Sequence, residues 1–225
     1  MNTTLRSVVT ALFVFGWLAA GNTQAERAGS QSPPCAKKKA KDDAGFKPLF
    51  DGKSLTGWEG DKKLWLVENG MLIGRSPGIK GNVFLCTKQS FEDFELRVTF
   101  RLLGGKGNSG FQFRSKKVPG HVSGYQADAG QKYWGCLYDE ARRRKILVKA
   151  PPKVKDHYKP DGWNKYVIRC QGPEITMQLN GFTTVKYTER DAKIPRKGII
   201  APQLHGGPPM EIQIKDIRIK TLPAK

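Results

Sequence analysis

Residues 94–101 read Phe94-Glu95-Leu96-Arg97-Val98-Thr99-Phe100-Arg101. Phe94, Leu96, Val98 and Phe100 share one face and Glu95, Arg97, Thr99 and Arg101 the other, the period of two of a half-buried β-strand. Neighbouring stretches follow the same rule. Trp65-Leu66-Val67 and Met71-Leu72-Ile73 flank Asn69-Gly70, while Ile175–Leu179 and Thr183-Thr184-Val185 flank Asn180-Gly181. Asn-Gly accepts the positive φ angles of a type I′ turn, so each is an antiparallel hairpin signal. Near the end, Ile212, Ile214, Ile217 and Ile219 alternate except at Lys215-Asp216, which predicts a closing strand with a bulge. No stretch carries a helical period. Together these predict an all-β fold, a two-sheet antiparallel sandwich or jelly roll.

Outside this patterned region the composition changes. Residues 1–25, MNTTLRSVVTALFVFGWLAAGNTQA, carry an early Arg6, an apolar run from Val8 to Ala20 and a small-residue ending. They are expected to be a secretory signal peptide, which implies a periplasmic or extracellular protein. The run is shorter than the roughly 20 residues of a membrane span, so no transmembrane segment is expected after cleavage. Residues 26–44, polar and rich in Pro, Ser, Ala and Lys, are expected to be a disordered basic linker. Residues 45–225 suit one domain with one core.

The formal net charge is +19; Arg6 leaves with the signal and the linker removes a net two, so the remainder keeps +16. Such a field attracts polyanionic neighbours, an anionic cell envelope among them. Outside Arg142-Arg143-Arg144-Lys145 the basic residues rarely cluster and no nucleic-acid-binding motif accompanies them, so no specific nucleic acid is expected. Cys35, Cys86, Cys136 and Cys170 permit up to two disulfides in three connectivities. No Cys/His spacing suggests zinc.

Aromatic and apolar residues at the domain start, Phe46, Leu49, Phe50, Trp58 and Trp65, belong in the core. Polar residues that share a strand face are more informative. In Asn108-Ser109-Gly110-Phe111-Gln112-Phe113-Arg114, alternation sends Phe111 and Phe113 inward and Gly110, Gln112 and Arg114 outward. Gln126 and Asp128 share a face in Tyr125-Gln126-Ala127-Asp128, as do Gln203 and His205 in Pro202-Gln203-Leu204-His205. If these faces coincide, one sheet carries Arg114, Gln126, Asp128, Gln203 and His205, with Tyr138, Asp139 and Glu140 near its rim. A sugar fits such a surface. His121 and His157 lie in polar stretches expected to face solvent.

In order along the chain stand Gly45-Phe46-Lys47-Pro48-Leu49-Phe50-Asp51-Gly52-Lys53-Ser54-Leu55-Thr56-Gly57-Trp58, Trp65–Gly70, Asp93-Phe94-Glu95-Leu96 and Asn108–Arg114. Gly124-Tyr125-Gln126, Gly162-Trp163-Asn164, Leu179-Asn180-Gly181, Gly198–His205 and Ile217-Arg218-Ile219 follow. This series resembles the 3-keto-disaccharide hydrolase family, from about Gly45 to Leu222. The resemblance implies a concanavalin-like sandwich, a carbohydrate ligand and a reaction on sugars already oxidised at C3. A C3 ketone acidifies the C2 proton; its removal gives an enolate that expels the C1 substituent, and water adds back. That chemistry requires a base, an enolate stabiliser and an acid for the leaving group.

Asp128 or Glu140 is then the candidate base, and Arg114 or His205 the candidate stabiliser. Gln126, Gln203, Tyr138 and Asp139 are candidates for binding the sugar. A divalent metal would serve equally as stabiliser, with carboxylate and imidazole ligands. Many family members carry a glutamate where this chain has Gln126. Asp128 stands on the same face two residues on, about 6 to 7 Å along a strand. A non-catalytic carbohydrate-binding or envelope-associated module is the alternative. A conventional retaining glycosidase is disfavoured: it needs two closely spaced carboxyls, whereas adjacent Asp139 and Glu140 fall on opposite faces.

Overall fold

The computed structural model describes residues 43–225. The expected signal peptide and residues 26–42 of the expected linker lie outside them. Among the described residues, Asp43 forms ion pairs with Arg97 and Arg218.

Two sheets face each other. The first runs, edge to edge, β14 (Phe182–Thr188), β13 (Glu174–Leu179), β12 (Asn164–Gln171), β7 (Phe94–Leu102), β16 (Met210–Thr221), β4 (Met71–Ser76) and β3 (Trp65–Glu68). A short β1 (Lys47–Pro48) also pairs with β16. The second runs β11 (Lys145–Val148), β10 (Leu137–Glu140), β9 (His121–Gly130), β8 (Asn108–Val118), β15 (Ile199–Leu204) and β5 (Val83–Phe84). A small ribbon joins β2 (Trp58–Glu59) to β6 (Cys86–Thr87). All pairings among the described residues are antiparallel. The described residues contain two short 3₁₀ turns, Leu103–Gly105 and Pro152–Asp156, and no α-helix.

The alternation in residues 94–101 becomes the alternating burial of β7, at the middle of the first sheet. Phe94, Leu96, Val98 and Phe100 are wholly buried. Phe100 meets Phe111 of the second sheet edge to face at 4.8 Å and stacks on Tyr166 at 5.5 Å. Each such side chain contributes about 1.5–3 kcal/mol of burial, whereas exposed pairs such as Arg75–Glu68 contribute little. The patterned core therefore holds the fold. Both Asn-Gly pairs have positive φ at both positions, as type I′ hairpins require. The closing strand β16 shifts register between Ile214 and Asp216, where the sequence predicts a bulge. Phe50, Trp58 and Trp65 enter the core; Phe46 instead lies half-buried under the Arg97 guanidinium. Cys86, Cys136 and Cys170 are buried free thiols.

A second bulge, in β8, corrects the reading of Arg114. Arg114 and Ser115 together oppose Gly124, which breaks the alternation that would have sent Arg114 outward. Arg114 takes a φ of 46° and its side chain turns into the protein. Its guanidinium donates to the Glu92 carbonyl, the Gly172 carbonyl and Asp93 Oδ1, each at 2.8 Å. Asp93 adjoins β7 and Gly172 follows β12, so Arg114 of the second sheet is clasped to the first. It is a structural residue, not an enolate stabiliser.

Removing one member of a buried ion pair leaves an uncompensated charge, at a cost of about 3–5 kcal/mol. Arg114→Ala should therefore lower the unfolding free energy by that amount, read as a lower urea midpoint at an unchanged denaturant slope. A loss below about 1 kcal/mol would show that the clasp is dispensable.

Candidate functional site

Residues paired across an antiparallel ladder share a face. Gln112 pairs with Gln126 and Gly110 with Asp128 across β8 and β9, and Ala201 of β15 pairs with Gln112. Phe111, Phe113, Tyr125 and Ala127 accordingly fill the space between the sheets, while Gln112, Gln126, Asp128 and Gln203 form a patch on the outer face of the second sheet. Gly110 belongs to this patch for a steric reason. A Cβ there would stand 2.6 Å from Gln126 Cγ, so the side chain of Gln126 lies over it only because it is glycine.

A directed chain of hydrogen bonds crosses the patch. Ser115 Oγ donates to Gln112 Oε1 (2.7 Å), Gln112 Nε2 to Gln126 Oε1 (2.8 Å) and Gln126 Nε2 to Asp128 Oδ1 (2.7 Å). All four side chains are buried. Each amide accepts at one end and donates at the other, so the chain holds Asp128 Oδ1 in place. The Asp128 backbone is fixed as well: its carbonyl accepts from the Tyr166 hydroxyl and from Gly135 N–H.

Asp128 lies at the wall of a cavity of about 410 Å³, shared with Gln126, Tyr138, Glu140 and His205. Arg144, Lys145, Asn82, Asn108 and Tyr133 complete much of its lining. His205 Nδ1 lies 2.6 Å from the Gly206 carbonyl, an acceptor, so Nδ1 carries a proton and a neutral ring presents Nε2 as acceptor. Glu140 bonds His121 Nε2 at 2.8 Å. His121 is thus a partner at the rim, at the start of β9, rather than a solvent-facing loop residue. Gln203 is wholly buried and outside the cavity lining, with Oε1 3.5 Å from Gln126 Nε2. Neither Gln203 Nε2 nor Asn108 Oδ1 has a partner within the protein. An unmet buried polar atom costs about 1–3 kcal/mol; Asn108 lines the cavity, where a ligand hydroxyl can donate to its Oδ1, whereas Gln203 lies outside it.

Asp139 does not join the site. It pairs with Tyr125 across β9 and β10, so it faces inward, where Arg142 and Arg143 hold its carboxylate. Arg143 continues to Glu189, which also accepts from the Tyr125 hydroxyl. Adjacent Asp139 and Glu140 thus stand on opposite faces, as their spacing requires. Among the described residues no group of three or more His, Cys, Asp or Glu side chains could hold a metal ion. Arg144 and Lys145, both exposed, also line the cavity. In the sequence both belong to the basic run Arg142-Arg143-Arg144-Lys145. The signal available was their position at the turn from β10 into β11, four and five residues after Glu140.

Burial dominates the electrostatics of Asp128 and pushes its carboxyl up from 3.8 to about 7, against the hydrogen bond from Gln126, which lowers it; Glu140 adds an upward push. Burial likewise raises the Tyr138 hydroxyl.

The model of the 3-keto-alpha-glucoside-1,2-lyase-like domain matches residues 45–220. The chain belongs to this family. As a member of the lyase-like family it is a carbohydrate-active, glycosyl-hydrolase-like protein. Solved structures show the same fold. A candidate glycosyl hydrolase from Parabacteroides distasonis superposes with a TM-score of 0.62 at 19% identity, covering 83% of this chain and 97% of its own. The carbohydrate-binding module CBM66 from Bacillus subtilis gives 0.58 at 15% identity, covering 73% and 96%. The Crh5 transglycosylase in complex with NAG gives 0.55 at 13%, covering 80% and 85%. No curated protein matches the chain.

The raised carboxyl of Asp128 has a consequence for the stability of this lyase-like domain. A folded-state value above the unfolded one means that the stability contribution is complete below about pH 4 and is lost as pH rises towards 7. Asp128→Asn, always neutral, should therefore melt several degrees above the parent at pH 8, with the gap narrowing steadily through pH 5 and closing as pH falls towards 4. Equal melting temperatures at pH 8 would show that Asp128 ionises freely.

Proposed function

We propose that this protein cleaves 3-keto-glycosides, with Asp128 as the base that removes the C2 proton. The observation that carries this reading is a carboxyl near pH 7 at the wall of a polar cavity, with one oxygen held by Gln126. A general base works best when its pKa lies near the operating pH.

The departure at position 126 fits this reading. Gln126 and Asp128 are two residues apart, about 6 to 7 Å along a strand. Their functional ends nevertheless meet at 2.7 Å, because the Gln126 side chain reaches along the strand over Gly110. The Asp128 carboxylate thus lies beside the position that the end of a longer acid at 126 would reach.

In the proposed reaction Asp128 takes the proton from C2, and the C–H electron pair forms the C2=C3 enolate with charge on the C3 oxygen. Arg144 and Lys145 supply cationic donors for that oxygen. Collapse restores the ketone, forms a C1=C2 double bond and breaks the bond from C1 to the leaving oxygen, which takes up a proton. Water then adds at C1 and a proton returns to C2, so the net change is hydrolysis. His205 Nε2, an acceptor in the neutral ring, orients that water. Glu140, held by His121, acts mainly through its charge on Asp128.

The test is incubation with a 3-keto-disaccharide and its unoxidised counterpart, following release of the leaving sugar. The oxidised substrate alone should be cleaved, with a rate that rises to a plateau through an apparent pKa near 7. Asp128→Asn should lower turnover by at least about a hundredfold, as loss of a general base does. Near-normal turnover in Asp128→Asn with an inactive Glu140→Gln would move the role to Glu140. Binding of both sugars with cleavage of neither would make the protein a carbohydrate-binding module.

A further inference from the structure

We propose that a second cavity, beside that of Asp128, receives the leaving sugar and favours one bearing an anionic group. The inference rests on the reading above for which sugar lies where, and names the class of substrate that the site selects. The second cavity, about 640 Å³, shares Tyr133 and Ile146 with the first. A ligand that spans the two therefore passes Tyr133 without leaving the protein surface. Both volumes fall in the range of small-molecule sites.

Its lining combines an apolar wall with positive charge. Trp134, nearly buried, stacks on Tyr158 at 4.8 Å with the rings within 2° of parallel. Phe100 stacks on Trp134 as well, so that ring belongs to the core, and half-buried Tyr158 and Tyr133 are the aromatic side chains left to meet a sugar. Around it stand Lys132, Lys149 and Lys155, and no carboxylate lines the cavity. None of the three lysines forms an ion pair among the described residues; Lys132 lies over the ring of Tyr133, 5.5 Å from its centre.

Three like charges around one cavity repel each other, and an anion placed among them relieves that repulsion, most at low salt. A carboxylate on a uronic sugar and a sulfate or phosphate ester share this chemistry. A neutral sugar can accept hydrogen bonds from the lysines but lacks the charge–charge attraction.

Calorimetric titration of the intact protein tests the inference without any need for turnover. The probes are cellobiose, cellobiose with a C6 carboxylate on its reducing-end ring, and cellobiose sulfated at that C6. At low salt at least one anionic probe should bind about tenfold more tightly than cellobiose, a difference of about 1.4 kcal/mol. Preference for one anion over the other identifies its source. Lys149→Met/Lys155→Met should lose most of that preference, while Lys62→Met/Lys63→Met, with the same change in net charge at exposed residues outside both cavities, should keep it. Equal binding of the three probes, equal losses in the two double variants, or no binding of either anionic probe at millimolar concentration would overturn the inference. Anion-selective binding without cleavage of any 3-keto-glycoside would instead refute the proposed reaction and leave the selectivity standing.

Discussion

The hydrogen bond from Gln126 to Asp128 is the interaction on which the site depends. A carboxyl that is 5% exposed would, with nothing to hold it, rotate towards whichever polar group was nearest. Here it cannot, because the amide that reaches it is itself held by Gln112, and Gln112 by Ser115. Two opposing effects act on the same group. Burial penalises the charged form, the amide N–H favours it, and the outcome near 7 leaves the carboxyl able both to take up and to release a proton at neutral pH. A glutamate at 126 would face Asp128 as a like charge, and the two would compete for one proton. The amide instead gives Asp128 a donor.

That chain of side chains depends in turn on strand geometry. Gly110 leaves room for Gln126, and the bulge that turns Arg114 inward also places Ser115 at the head of the chain. One extra residue in β8 therefore has two effects: it clasps the sheets through Asp93 and starts the polar network. The aromatic core beneath β9, with Phe111 and Tyr166 packed on Phe100, gives the outer face a rigid support. Tyr166 joins the two layers directly, since its hydroxyl donates to the Asp128 carbonyl.

Period-two alternation made the sandwich, the two hairpins and the bulge in β16 legible in the sequence, because a strand face is set by parity alone. Parity also placed Gln126, Asp128 and His205 on one surface and separated Asp139 from Glu140. It failed at Arg114, where a bulge shifts the count by one and no residue type announces it. The share of Asp139 in an inward network with Arg142, Arg143 and Glu189 was hidden for a different reason: Arg142 and Arg143, three and four residues on, reach its carboxylate only because the chain turns after β10, and Arg143 then bridges to Glu189, far along the chain. Arg142 to Lys145 form one basic run in the sequence, and only the turn from β10 into β11 divides it, sending Arg142 and Arg143 to Asp139 while Arg144 and Lys145 border the cavity.

The central claim is that the fold holds one carboxyl, that of Asp128, poised near neutrality. The direct measurement is a carbon-13 nuclear magnetic resonance titration of the aspartate side-chain carboxyls, with Asp128 assigned by its absence in Asp128→Asn. The account predicts a single-site transition for Asp128 with a midpoint near 7, moving downward when Glu140 is replaced by glutamine. A midpoint near 4, unmoved by that replacement, would contradict it.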